Sequence, residues 1–174
     1  TNNHIKNGSF EVILLKPVNP LFFAMATNFN IEGITYIIGG TIMFALSASH
    51  TIVFTLTGML NFILFLLAGV LVMFGIELIM SATSFKWIGN SRIPEIFDSV
   101  KQFAKYPMTI FPSLARSITT FIVPVAMVAF VPAASLLGQT EPWFYWALIP
   151  CALFTIVGFL LYHKMIKLYE SAGG

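Results

Sequence analysis

Long apolar stretches alternate with short polar intervals along this chain, and the longest polar interval runs from residue 86 to residue 116. A helix needs about 20 apolar residues to cross a hydrocarbon core of about 30 Å. The apolar stretches predict four membrane-spanning helices, at about 33–49, 55–79, 117–137 and 142–162. We therefore expect an all-α, polytopic membrane protein whose residues 1–174 form one transmembrane domain, with 86–116 as a loop on one side.

The polar interval contains an amphipathic pattern of its own. Apolar residues recur there at three- and four-residue spacing, which is the period of one helix face: Ile93, Ile96, Phe97, Val100 and Phe103. This helix is too short and too charged to span, so it either lies on the membrane surface or presents a face to a cytosolic partner. A shorter helix beginning at Phe10 poses the same choice.

Prolines and caps refine these predictions. Asn19 followed by Pro20 predicts a helix start, since Asn caps well and proline suits the first helical position. Pro124 and Pro132 lie inside the third apolar stretch, so we expect that helix to be kinked or broken towards its outer end. Trp143 at the start of the fourth stretch is typical of a membrane–water boundary.

Composition supports a membrane location. The chain is 57% hydrophobic and 9% charged, whereas soluble domains carry about 25% charged residues. Its net charge of +2 gives no reason to expect a nucleic-acid partner. Because it lacks an initiating Met and opens with a polar segment, we expect a fragment without its N-terminal part.

The basic residues fix the expected orientation. With four crossings, all nine Lys and Arg residues fall on one side, as two, five and two along the chain. Cytoplasmic loops are enriched in Lys and Arg. We therefore expect both ends and residues 86–116 in the cytoplasm, with the protein in a cell inner membrane.

Glu77 is the candidate intramembrane polar residue, since it is the one ionisable residue well inside an apolar stretch. Either it has a function in the membrane, or it reaches the interface from near the end of its helix. Its position nine residues before Lys86 favours the second interpretation. The sequence offers no arrangement typical of catalysis, cofactor binding or metal ligation, and Cys151 is expected to pack as a small apolar residue.

The order of these parts resembles a known family. The segments Ile5–Phe10 and Leu14–Pro20 resemble the cytoplasmic segment before the third membrane helix of type-2, exporter-class ABC transporter permeases. Residues 124–138 are similar to the fifth helix and its outer extension in one bacterial subfamily, and 169–174 to that subfamily's C-terminus. The resemblance covers the whole chain and implies helices three to six of a six-helix permease.

The resemblance also implies partners and a coupling surface. Such permeases pair with a second copy or a paralogue and bind separate ATP-binding cassette subunits, which hold the ATP and magnesium, so the chain itself is expected not to be an enzyme. The candidate ATPase-coupling residues that it implies are Ser9, Phe10, Glu11, Ile93, Phe97 and Val100.

The expected function is the permease subunit of an ATP-driven exporter of a hydrophobic or amphipathic solute. An ion-coupled secondary carrier is the alternative, in which Glu77 would bind the coupling ion. A non-transporting membrane scaffold is a third hypothesis. A membrane-embedded enzyme fits least, because the intramembrane polar groups do not cluster.

Overall fold

The computed structural model describes residues 15, 17, 19–27, 31–51, 55–86, 92–103, 105, 106 and 110–168, and this part of the chain is mostly helical, without strands. The first helices along the chain are α1 (Pro20–Thr27), α2 (Ile31–Thr51), α3 (Leu56–Lys86) and α4 (Arg92–Phe103). The later ones are α5 (Ser113–Ser117), α6 (Phe130–Leu136), α7 (Pro142–Trp146) and α8 (Leu148–Ile166).

Two helices are long and apolar enough to cross a membrane. They are Leu56–Phe85 within α3 and Pro142–Ile166, which joins α7 to α8. The 31 residues of α3 extend for about 46 Å, which exceeds a hydrocarbon core of about 30 Å. The apolar part of α2, Gly33–Ala48, is shorter. The four crossings of the sequence analysis thus stay a prediction for the first and third of them.

The capping prediction at the start of α1 is confirmed. The Asn19 side chain accepts a hydrogen bond of 2.9 Å from the backbone N–H of Leu21, and Pro20 occupies the first helical position. Leu21 and Phe23 pack on a small cluster of buried side chains near the C-terminal ends of α3 and α8. The cap therefore fixes where α1 begins to contact these two helices.

Helices α3 and α8 run parallel and form the main contact of the fold. The Tyr145 hydroxyl donates a hydrogen bond of 3.0 Å to Asn61 at one end of the pair, and the Phe85 and Tyr162 rings lie 5.4 Å apart at the other. Parallel neighbours require the intervening chain to travel back along α3 before α7 begins. This backward course determines how the residues between α3 and α7 are arranged.

Close packing of α3 on α8 depends on two glycines. A Cβ atom at Gly158 would lie 2.9 Å from the carbonyl oxygen of Gly75, too close for any side chain. The Thr155 hydroxyl crosses the same contact, 3.0 Å from the carbonyl oxygen of Leu71. Small residues allow helix backbones to approach in membranes, where dispersion and hydrogen bonds drive association. These glycines were not singled out from the sequence.

The returning segment, residues 110–138, is not the single helix expected at 117–137. A π-helical turn at Ile118–Ile122 follows α5, and a 3₁₀ turn at Val125–Met127 precedes α6. The break falls at Pro124, whose ring lacks an N–H and disfavours helix at the residue before it. Pro132 breaks nothing, because it lies in the first turn of α6, where a missing N–H is tolerated.

The core lies between α3, the returning segment and the start of α8. A stripe on α3 packs against the 3₁₀ turn, and its members follow helical spacing: Phe65, Ala68, Val72, Ile76 and Met80. Gly69 lies against the carbonyl of Met127, and further along the carbonyl of Ser135 faces Gly58. Between Met127 and Ser135 the chain thus runs antiparallel to α3. Gly138 ends it with φ at 72°, a conformation that glycine adopts without strain.

Helix α2 has few neighbours in the described part of the chain. Three of its glycines, Gly33, Gly39 and Gly40, face open space. Its aromatic contact is the stacking of Phe44 on Phe62, with ring centres 5.8 Å apart. Most of its large apolar side chains are exposed.

Candidate functional site

The amphipathic helix α4 contacts α3 about two-thirds of the way along it. Val100, half-buried, packs on the main core. Ile96 on the same helix is 62% exposed, so α4 buries only part of its apolar side against this chain. The rest is available to lipid or to a partner.

An ion pair joins the two helices at this contact. The Lys101 ammonium donates a hydrogen bond of 2.6 Å to Glu77 on α3. It donates a second, of 3.2 Å, to Asp98 one turn earlier on α4. The Lys101 side chain is 21% exposed and that of Glu77 59% exposed. Glu77 is therefore neither buried among apolar helices nor free, because the surface helix supplies its counter-charge.

The environment of Lys101 keeps the cation charged. Partial burial lowers the pKa of Lys101, but hydrogen bonds and charge attraction from Glu77 and then Asp98 outweigh it, so the pKa is raised above its ordinary value of 10.5. Exposed ion pairs contribute about 0–1 kcal/mol to stability. A pair this accessible therefore sets the register between α3 and α4 more than it stabilises the fold.

The same helix reaches the break in the returning segment. A cavity of about 580 Å³ lies between α3, α4 and the 3₁₀ turn, and it is lined by Met73, Asp98, Lys101, Gln102, Lys105, Val128 and Ala129. Helix α4 also contacts the 3₁₀ turn at Val125–Met127 directly. One surface helix thus touches both a long helix of the bundle and the point where the returning segment is broken.

A more apolar cavity of about 440 Å³ lies beside α4. Its lining consists of Ser99, Gln102, Tyr106, Ile110 and Phe111. Tyr106 is 55% and Ile110 63% exposed. These residues extend the apolar surface that α4 leaves uncovered.

The structure describes only part of the coupling surface implied by the resemblance. Ser9, Phe10 and Glu11 lie outside the described residues. Ile93 and Phe97 lie on α4, and their side chains are outside what the structure describes. Val100 is described, and it faces the core rather than a partner.

Lys101 was missed as a site residue, since it counted only as one of the charges that orient the chain. The signal was present in the sequence. A lone carboxylate near the end of an apolar helix needs a cation, and α4 carries a lysine beside its apolar face. Which basic residue would meet Glu77 depended on how α4 docks.

Arg116 lies far from the junction that Lys101 forms with Glu77, although Arg116 and Lys101 both belong to the interval 86–116. It lines a cavity with Glu141 and Phe144, and Phe144 packs edge-on against Phe65 with ring centres 5.9 Å apart. Phe65 precedes Glu77 by twelve residues on α3, which is about 18 Å along the axis. The basic residues of this interval therefore do not all gather at one end of α3, because the chain starts its return before Arg116.

The described residues hold no group of three or more His, Cys, Asp or Glu side chains placed to bind a metal ion. Helix α4 contacts both α3 and the broken returning segment. Charge joins α4 to α3, and apolar packing joins α4 to the broken segment.

Two helices of the chain are long and apolar enough to cross a membrane, an ion pair joins a surface helix to one of them, and the segment that returns along it is broken near Pro124. The chain belongs to the ABC-2 family of transporter proteins, whose family model, described as "ABC-2 family transporter protein", matches residues 1–173. Members of this family are the membrane components of ABC transporters. No curated protein and no solved structure gave a match to the chain.

Proposed function

We propose that this chain is the permease subunit of an ATP-driven exporter and that α4 transmits movement from a separate ATPase subunit to the membrane helices. The observation that carries this proposal is the Lys101–Glu77 ion pair, with α4 also packed on the 3₁₀ turn. The family membership supports an ATPase partner in general. ATP and magnesium belong to that partner.

In this mechanism the partner docks on the uncovered apolar side of α4 and on the cavity wall at Tyr106 and Ile110. Displacement of α4 pulls on α3 through Lys101. The same displacement pushes the 3₁₀ turn, and the break at Pro124 lets α6 move without α5. Access then alternates between the two sides of the membrane.

The proposed topology has four crossings, with both ends in the cytoplasm of an inner membrane, and it shortens the predicted cytoplasmic loop 86–116 to 86–105 because Arg116 lies at the level of Phe65. A core of about 30 Å that begins at Leu56 ends close to Glu77, which puts the ion pair at the cytoplasmic boundary. The parallel course of α3 and α8 supports a third crossing between them. A second permease copy or paralogue completes the transporter.

The test measures the movement of α4 relative to α6 and does not require that the substrate be known. Spin labels on Glu95 and Ala133, both exposed, would report the distance from α4 to α6 in the full-length permease with its ATPase subunit. Cys151, which is buried, and any further native cysteine of the full-length protein are replaced with alanine, so that only the two introduced cysteines carry labels. We expect ATP to change the distance in the parent and not in a Lys101→Met variant.

Asp98→Asn is the matched control, because Asp98 bonds to Lys101 within α4 and bridges no helices. It should keep the ATP-dependent change. The charge swap of Glu77→Lys with Lys101→Glu, made in the Asp98→Asn background, should restore it. An unchanged response in Lys101→Met, with the ATPase subunit still bound, would refute coupling through this pair.

The ion-coupled carrier has one observation against it. Glu77 already holds a lysine ammonium at 2.6 Å, so a coupling ion would have to displace Lys101. Transport that depends on a proton or sodium gradient, and that Glu77→Gln abolishes, would favour the carrier. A scaffold would show neither ATP-driven movement nor transport.

A further inference from the structure

A small cavity with opposite charges on its wall lies between the returning segment and the start of α7. It has a volume of about 230 Å³, and the proposed coupling junction does not use it. Phe144 ties it to Phe65 on α3 through an edge-on ring contact. The cavity therefore lies at the level of Phe65, well away from Glu77.

The lining of this cavity divides into two chemically distinct sides. Phe130 and Phe144, whose rings meet edge to face with centres 6.4 Å apart, form the inner apolar side. Arg116, Gln139 and Glu141 are exposed and form the polar side. A ligand that satisfies both sides is amphipathic.

The two charges of the polar side do not neutralise each other. The Arg116 guanidinium donates to the backbone carbonyl of Phe111 at a long 3.4 Å, and among the described residues it forms no ion pair. The Glu141 carboxylate accepts a hydrogen bond of 2.7 Å from the Trp143 indole N–H through Oε2. Within the described ranges, the other carboxylate oxygen and most of the guanidinium donors have no partner and are available to a ligand.

We propose that this cavity binds the headgroup of a zwitterionic amphiphile. Its anionic group would bind Arg116, since a guanidinium presents several donors in a fixed plane. Its cationic group would lie between Glu141 and the Trp143 ring, which attract a cation by charge and through the ring face. Opposite charges that are separated in the protein match opposite charges that are separated in the ligand.

Size decides which part of the ligand enters. Pockets for whole drug-sized ligands measure about 300–1,000 Å³, and this cavity holds about 230 Å³. The headgroup therefore enters, while the apolar chains stay outside against the exposed apolar surface of the bundle. This inference names the substrate class for the proposed exporter and rests on that function only for calling the ligand a substrate.

The experiment measures binding of charge-matched probes by titration calorimetry to the full-length permease in nanodiscs of phosphatidylglycerol, a lipid without the zwitterionic headgroup under test. The probes share a hexyl chain and differ in headgroup: hexylphosphocholine, hexyltrimethylammonium, hexyl sulfate and hexyl glucoside. Glycerophosphocholine, which has the headgroup without a chain, distinguishes an amphiphile from a soluble zwitterion. Neither ATP nor the ATPase subunit is present, so the result does not depend on whether the coupling proposal holds.

We expect the parent to bind hexylphosphocholine about tenfold or more tighter than the other probes. Arg116→Gln should shift the preference to hexyltrimethylammonium, and Glu141→Gln should shift it to hexyl sulfate. Arg116→Lys should keep the zwitterion preference, which separates loss of charge from loss of folding. Lys164→Gln, an exposed cation in the last turn of α8, is the control and should change nothing.

Three results would overturn the proposal. One is equal affinity of the parent for all hexyl probes. Another is an equal loss of every probe in Arg116→Gln and Glu141→Gln, which indicates a structural role for these residues. The third is binding of glycerophosphocholine as tight as that of hexylphosphocholine, which excludes an amphiphile.

Discussion

Replacing Gly69 with alanine would place a methyl group inside the contact between α3 and the 3₁₀ turn. The added Cβ would lie 2.9 Å from the Cα atom of Val128 and closer still to the carbonyl oxygen of Met127. Both are backbone atoms, so neither can rotate away as a side chain would. The turn must move, or α3 must shift along it.

Two opposing effects, overpacking and helix propensity, set the size of the destabilisation. Overpacking a close contact costs about 1–3 kcal/mol, and the fixed backbone here favours the upper half of that range. Alanine improves helix propensity by up to about 1 kcal/mol. Where helices persist in detergent after tertiary unfolding, the gain in helix propensity is present in both states and adds little to the free energy of unfolding. We expect Gly69→Ala to destabilise the protein by about 2 kcal/mol, a fall of about 4–8 °C in Tm.

Substitutions at two other glycines provide the comparison for Gly69→Ala. A Cβ at Gly158 would lie 2.9 Å from the carbonyl oxygen of Gly75, so Gly158→Ala should lower the Tm by less than Gly69→Ala. Gly39, within α2, has open space around it. Gly39→Ala should leave the Tm unchanged or slightly raised. Thermal unfolding of each purified variant, followed by loss of the monodisperse gel-filtration peak, measures the order.

An equal Tm for Gly69→Ala and Gly39→Ala would refute this reasoning, since it would mean that α3 and the 3₁₀ turn do not approach as closely as the structure has them. A reversed order, with Gly39→Ala the most damaging, would point to close packing on α2 instead. The series therefore tests which glycines permit helix contact.

Three further outcomes follow from local geometry. Thr155→Val removes a hydroxyl that bonds across to α3 and should cost about 0.6 kcal/mol, while Thr41→Val, whose hydroxyl bonds within its own helix, should cost less in the same unfolding assay. Gly138→Ala forces a φ of 72° on a residue with a side chain and should cost about 1–2 kcal/mol, whereas Gly40→Ala should cost nothing. The pKa of Lys101 is raised above 10.5 on folding, so its ion pair stabilises the protein at neutral pH and is lost as the pH rises beyond that value. Lys101→Met should therefore flatten the fall in Tm as the pH rises above 10.5, and an unchanged fall would contradict the assignment.

Apolar length and composition were enough to predict a helical membrane protein, because a chain that is 57% hydrophobic cannot hide that surface in water. They also located α3 and the helix that ends at Ile166, since apolar runs of this length leave few alternatives. The Asn19 cap and the break at Pro124 were predictable for local reasons, namely a side-chain acceptor and a missing N–H.

Which proline interrupts the returning segment was less predictable. Pro124 and Pro132 look alike in sequence, yet only the first interrupts a helix. The difference is their distance from a helix start, which the approach of the 3₁₀ turn to α3 determines. No local pattern encodes that approach.

The candidate site, too, was predictable only in part from the sequence. The sequence by itself identified Glu77 as an exceptional carboxylate and α4 as an amphipathic helix, because charge and helical periodicity are properties of short segments. Only the tertiary structure decided that Lys101 meets Glu77, and that Arg116 and Glu141 share a distant cavity. Such pairings depend on how helices cross and where the chain turns back, and these are set by packing between residues far apart in sequence.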